Sequence, residues 1–179
     1  MIVEGPSPTR LQRFLAYRLL LVLGLVTLAA DQVTKGWIVA RLPYPTYGKP
    51  GAILIIEDFF YLVHVRNTGA AWSLFTGQST VLALLAAGTL VAIGVWRHTL
   101  GLRARVVQVS FGLLTGGIAG NLVDRLRYQQ VIDFLDFHFG NYAYPTFNVA
   151  DSAICVGVFL YIGWSLRQPA TDDKVPKSD

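Results

Sequence analysis

Apolar residues fall in four blocks along the chain, at residues 14–39, 80–96, 106–123 and 149–166. A helix that crosses a bilayer needs about 20 mainly apolar residues, and each block meets or approaches that length. The first block is the least uniform. Its uncharged centre, residues 19–30, is short, so Arg18 is expected near one interface, where its stem can snorkel, and Asp31 near the other. A secretory signal is the alternative reading, because Arg10, Arg13 and Arg18 precede an apolar core ending in "LAAD". The apolar pattern continues through "VTKGWIVARL" and three more blocks follow, which favours a retained span. In the connection at residues 41–78 the pattern changes. "AILIIE" and "FFYLVHVR" are rich in β-branched and aromatic residues and predict two short strands. "RNTGAAWSLF" reads as a turn leading into an amphipathic or re-entrant piece. Such an apolar loop is expected on the membrane surface, either as a cap over the helices or as a cradle for a lipid or a peptide.

Composition agrees with a membrane. The 179 residues are 53% hydrophobic and 15% charged, against about 25% charged in a soluble domain. The net charge of +4 would suggest nucleic acid in a soluble protein. Here cationic residues fixing membrane orientation account for it, and no nucleic-acid partner is expected. Arg10, Arg13 and Arg18 precede the first block, Arg97, Arg103 and Arg105 fill the second connection, and Arg167, Lys174 and Lys177 follow the fourth. These regions are expected in the cytoplasm, together with both termini, and the other two connections face outward. Residues 1–168 read as one four-span domain, and the polar tail at 169–179 as disordered. The single cysteine, Cys155, excludes an intramolecular disulfide. Gly112, Gly116 and Gly120 form a small-xxx-small ladder that lets another helix approach closely.

Five carboxylates, Asp31, Asp124, Asp133, Asp136 and Asp151, fall at the outward ends of the apolar blocks. Charges in or beside a span are costly unless paired or hydrated, so each is a functional candidate. Asp31 and Lys35 share a helical face and can pair, or Lys35 can orient a substrate. Asn121 and Asp124 are three apart, and Asn148 and Asp151 repeat that spacing, so each Asn can donate to its own Asp. Arg125 follows Asp124 at once and suits it to a bracing salt bridge. Asp133 lies in "VIDFLDF" among apolar neighbours, which raises a carboxyl's pKa as a general acid requires. Asp151 opens a helix, where capping is the simple alternative role. Asp136 has no assigned role beyond a wet interfacial position. The aromatics from Phe134 to Phe147 read as an interfacial belt.

Two such aspartates a few ångströms apart share one proton; one activates a water while the other polarises a carbonyl. That is an aspartic-peptidase arrangement, with Asp124 as the other possible partner for Asp151. No GxSxG or HExxH motif is present. His64, His98 and His138 lack metal-ligand spacing and are expected at the interface or surface, so neither metal nor cofactor is expected. Ser152 has no evident base. A proton-coupled transporter subunit, or an assembly factor using the glycine ladder, are the alternatives from other classes.

The pieces "DQVTK" (31–35), "RNTGAAWS" (66–73), "GGIAGNLVDR" (116–125), "VIDFLDF" (131–137) and "FNVADSAI" (147–154) together resemble the lipoprotein signal peptidases, the type II signal peptidases of bacterial membranes. They stand in that family's order and span residues 14–167; Trp72 stands where Phe is usual. The resemblance implies an all-α membrane protein, a four-transmembrane-helix bundle with a small outer-face β-cradle and an amphipathic gating segment. It implies a metal-free and cofactor-free intramembrane aspartic endopeptidase of the bacterial inner membrane, expected to be monomeric among membrane lipids, with its site at the outer face. Its substrate would be a prolipoprotein cut just before a diacylglyceryl cysteine. The catalytic pair would be Asp133 and Asp151. Asn67, Asn121, Asp124, Arg125, Asn148, Asp31 and Lys35 would support the site or hold substrate.

Overall fold

A computed structural model describes residues 16–47, 51–69 and 74–168. Four helices and four strands follow in the order α1 (Arg18–Arg41), β1 (Ile53–Ile56), β2 (Phe60–Asn67), α2 (Ser79–Val95), α3 (Arg105–Tyr128), β3 (Val131–Phe139), β4 (Tyr142–Ala143) and α4 (Val149–Ser165). The helices match the four apolar blocks. α1 and α3 are long and apolar enough to cross a membrane, and α2 and α4 are apolar helices of 17 residues each. Large apolar side chains such as Leu25, Leu84, Val91 and Phe159 face outward, while Asp31, Lys35 and Asp124 are buried. That inversion suits a bundle surrounded by hydrocarbon rather than water.

α3 is the central helix, with α1 on one side and α4 on the other. The glycine ladder makes these approaches possible. A methyl group on Gly116 would stand 2.6 Å from both the Gly24 carbonyl and the Thr27 Cβ of α1. One on Gly117 would stand 2.5 Å from the Ala150 carbonyl of α4. At Gly120 the Asp31 carboxylate fills the space itself. Asp31 therefore lies inside α1, pressed on α3. The helix runs ten residues beyond it because Lys35 and α3 satisfy its charge.

The strands form one antiparallel sheet in the order β1-β2-β3-β4. β1 and β2 are the two expected strands. β3 is the "VIDFLDF" segment, so the sheet is wider than the cradle expected and incorporates one of the site carboxylates. Ile132 and Phe134 on β3 pack with Ile38 and Leu42 at the end of α1, which fastens the sheet to the bundle. The expected aromatic belt divides accordingly. Phe134 belongs to this core, Phe137 stacks on Phe60 at 4.4 Å, and Phe139, Tyr142 and Tyr144 are exposed. His64 is buried, donating from Nδ1 to the Leu42 carbonyl; it is not the surface residue expected. The amphipathic piece expected after Arg66 falls largely on residues 70–73, outside the described residues, and 74–77 form a turn. Arg10, Arg13 and the tail 169–179 also lie outside them.

Candidate active site

The site is assembled where α1, α3, the sheet and the start of α4 meet. Its floor is an ion cluster. Lys35 Nζ lies 2.9 Å from Asp31 Oδ2 and 2.9 Å from Asp124 Oδ2, and donates to Asn121 Oδ1 at 3.0 Å. All three of its protons are thereby used. The remaining carboxylate positions are also filled. Asp31 Oδ1 accepts from the Ala150 amide at 2.9 Å, and Asp124 Oδ2 from the Ile132 amide at 3.1 Å. Gln32 Nε2 bridges Asp31, Asp124 and the Gly120 carbonyl. The cluster thus ties α1 to α3, to the first turn of α4 and to the root of β3.

Two asparagines carry this order upward. A lysine can only donate, so the Asn121 atom facing Lys35 is the amide oxygen, and the NH2 group points the other way. It donates to Asp151 Oδ1 at 2.7 Å. Asn148 caps α4: its side-chain oxygen accepts from the Asp151 amide at 2.9 Å, and Asp151 Oδ2 accepts from the Asn148 amide at 3.3 Å, a reciprocal capping box. The Asn148 NH2 then donates to Asp133 Oδ1 at 2.7 Å. Asn148 reaches this position because Phe147 bonds in both directions with Leu135, joining the chain before α4 to β3.

Asp133 receives a second donor from β2. Its Oδ2 accepts from Asn67 Nδ2 at 3.2 Å, and the Asn67 oxygen is fixed by the Gly69 amide at 2.9 Å. Asn67 stands opposite Val131, and Asp133 is two residues on, so both side chains share a face. The register depends on a bulge between Leu62 and Val65. One residue fewer in β2 would turn Asn67 to the other face.

Asp133 and Asp151 share the wall of a cleft of about 900 Å³ with Asn67, Asn121 and Arg125. Asp31, Lys35, Asp124 and Asn148 stand behind that wall. Burial pushes the Asp133 carboxyl up to about 7, and the Asp151 carboxylate adds to the push; Asn67, Asn148 and the charge of Lys35 pull the other way. Thr68, Thr146 and Tyr144 also line the cleft.

Several sequence expectations change. The partner of Asp124 is Lys35, not Arg125. Neighbouring residues on a helix point about 100° apart and do not face each other. Arg125 instead donates to the Gly69 carbonyl at 3.0 Å and the Asn121 carbonyl at 3.4 Å, bracing the loop after β2 against α3. The two Asn-x-x-Asp pairs do not close through side chains as expected. Asn121 donates to Asp151 and Asn148 to Asp133, so the donors come from other elements. Asp136 is buried, not wet, with His138 Nε2 at 2.9 Å from its Oδ2. The Ser152 hydroxyl donates to the Asn148 carbonyl, within the first turn of α4. Sequence reasoning missed Gln32, whose only signal was its place inside "DQVTK".

A buried carboxyl group and a half-buried one on one cleft, each held by neutral amide donors, point to the class of aspartic-type proteases. Comparisons with known proteins agree and narrow the class. Residues 23–167 match the family model described as "Signal peptidase (SPase) II". The chain is similar to the lipoprotein signal peptidase of Nitratidesulfovibrio vulgaris (strain DP4), 41% identical over 165 residues, covering 88% of this chain and 95% of that protein. It is similar to that of Bacillus subtilis (strain 168), 39% identical over 141 residues, covering 78% and 87%. A solved structure described as a bacterial membrane enzyme, determined in meso at 2.3 Å, superposes with a TM-score of 0.74 at 29% identity, covering 89% of this chain and 93% of that one. The chain belongs to the signal peptidase II family, and it is an aspartic-type protease.

Proposed function

We propose that the chain is an intramembrane endopeptidase that removes the signal peptide from diacylglyceryl-modified prolipoproteins, cutting just before the lipidated cysteine. All four helices span the membrane, both termini are cytoplasmic, and the cleft opens at the outer face. The substrate's signal helix stays in the bilayer while its lipid holds the scissile bond at the depth of the cleft. The relatives' shared name supports this substrate class. The observation that carries the mechanism is the shared cleft wall of Asp133 and Asp151, with no cation bonded to either among the described residues.

Asp133 is the proton holder of the pair, since its carboxyl is pushed up to about 7. Asp151 takes a proton from a water lying between the two carboxyls, and the water oxygen attacks the scissile carbonyl carbon. Asp133 gives its proton to the carbonyl oxygen as that oxygen becomes tetrahedral. Collapse of the intermediate breaks the C–N bond: one hydroxyl proton returns to Asp133 as the C=O re-forms, and the proton on Asp151 passes to the departing amine of the cysteine. Asn67, Asn121 and Asn148 keep both carboxyls aimed at the cleft, so little reorganisation is needed during the reaction. Closure of the cleft by substrate strengthens these interactions by excluding water.

Asp124 is a poorer partner for Asp151, because its oxygens are taken by Lys35, Gln32 and the Ile132 amide. A transmembrane proton relay would need carboxylates along the bundle, and all those among the described residues gather at the sheet end. The test is cleavage of a synthetic precursor peptide with and without diacylglycerol on its cysteine. The lipidated peptide should be cut to leave cysteine at the new N-terminus. Equal cutting of the unlipidated peptide, or cutting at another bond, would contradict the substrate assignment.

A further inference from the structure

The end of the bundle far from the aspartates has a cavity of its own, of about 440 Å³, lined by Tyr17, Arg97, His98, Gly101, Leu102 and Arg103. It lies under the connection from α2 to α3, which is a built turn rather than a loose strap. Leu102 is buried with Val107 and Phe111. Gly101 has φ +68°, and a Cβ there would stand 3.0 Å from the Trp164 ring of α4. Gln108 of α3 also donates to the Ala16 carbonyl at 2.9 Å, fixing the start of α1 beside Tyr17.

Among the described residues, charge at this end has one sign. Arg18, Arg97, Arg103, Arg105 and Arg167 lie here, while every carboxylate among the described residues lies at the sheet end or on the helix turns next to it. Arg97 donates one N–H to the Gly94 carbonyl at 2.7 Å, and neither Arg97 nor Arg103 has a carboxylate partner among the described residues. α3 starts beside the cavity with no side-chain cap and no acid in its first turn, so its dipole adds positive potential. Two accessible guanidiniums and a tyrosine around one concavity suit a tetrahedral oxyanion, which guanidiniums contact with paired N–H donors. Exposed Val91 and Val95 on α2, and Trp96 just after it, precede Arg97 in the chain and offer an apolar track.

We propose that this cavity binds a phosphate group, presented either on the headgroup of an anionic glycerophospholipid or as free phosphate. The apolar track beside it favours the lipid source, with acyl chains along α2 and the phosphodiester between Arg97 and Arg103. The site is separate from the peptidase cleft, so its failure would leave the peptidase reading untouched.

Binding is measured by native mass spectrometry on the full chain in detergent micelles, with phosphatidylglycerol, phosphatidylcholine and inorganic phosphate as separate probes. Retention of phosphatidylglycerol over phosphatidylcholine supports the lipid source; retention of inorganic phosphate alone supports the free anion. Arg103→Gln, which removes no described contact, should weaken retention about fivefold, and Arg97→Gln by a similar factor. Arg18→Gln and Arg167→Gln, which do not line the cavity, should leave it within about twofold. Equal loss in all four variants would reveal a diffuse field and overturn the site. Retention of neither phosphate probe by the unmodified chain would also overturn it.

Discussion

Asp31 and Asp124 on one side, and Asp133 and Asp151 on the other, belong to a single hydrogen-bonded network, yet their surroundings differ in kind. The first pair shares a lysine, and their oxygens are taken by protein donors, with both residues no more than 1% exposed. Among the described residues the second pair meets asparagine and backbone donors only, and both line the open cleft. A cation holds a carboxylate ionised and inert, whereas neutral donors orient it without fixing its charge. On the proposed mechanism the same side chain serves as a fastener in one place and as an acid–base group in the other. Asn121 joins the two, since its oxygen is held by Lys35 and its NH2 by Asp151.

Breaking the fastener should have the largest effect on stability. Lys35→Met leaves two buried carboxylates facing each other and frees Asn121 to turn over. A loss of about 3–5 kcal/mol is expected, because removing one partner strands the other charge. Thermal unfolding in detergent should show it, together with loss of activity. A variant as stable as the parent would mean that the cluster is no brace.

The second pair should show itself through pH. Asp133 binds its proton at about 7 in the folded protein and near the ordinary 3.8 when unfolded. Between these values the folded state carries the extra proton, so this contribution to stability is complete below about pH 4. It is lost as pH rises through 7, and amounts to about 4 kcal/mol at most. Asp133→Asn should flatten that fall. An unchanged pH dependence in the variant would show that Asp133 is not the group responsible.

Most of this comparison was legible in the sequence, but not its wiring. The four apolar blocks and the Asp31–Lys35 pair follow from periodicity and helical spacing, and Asp133 stands out by its apolar neighbours, but what sets Asp124 apart is Lys35 and not the adjacent Arg125. The cross-over of asparagine donors does not, because it depends on three elements far apart in the chain. Lys35 finds Asp124 across 89 positions only once the glycines of α3 have let α1 approach. "VIDFLDF" is rich in β-branched and aromatic residues like a strand, yet its pairing with β2 depends on a bulge near His64 that no local signal marks. The charge of Arg125 drew attention to its sequence neighbour, while its geometry sends it to Gly69.

A finer test concerns the donors. Asn67 holds the Asp133 carboxyl down from where burial alone would put it. Asn67→Ala should therefore move the alkaline limb of the kcat/KM profile to higher pH, by about one to two units for one hydrogen bond to a charged group. Movement to lower pH would contradict the role assigned to it.

The most direct measurement sets Asp133→Asn beside Asp124→Asn, with cleavage of a lipidated precursor and melting temperature recorded for both. Asp133→Asn is expected to lose at least about 10³-fold in kcat while melting no lower than the parent. Asp124→Asn is expected to melt lower, with activity falling only as far as the folded fraction does. Full activity in Asp133→Asn, or the reverse division of effects between the two variants, would contradict the assignment of one pair to chemistry and the other to the fold.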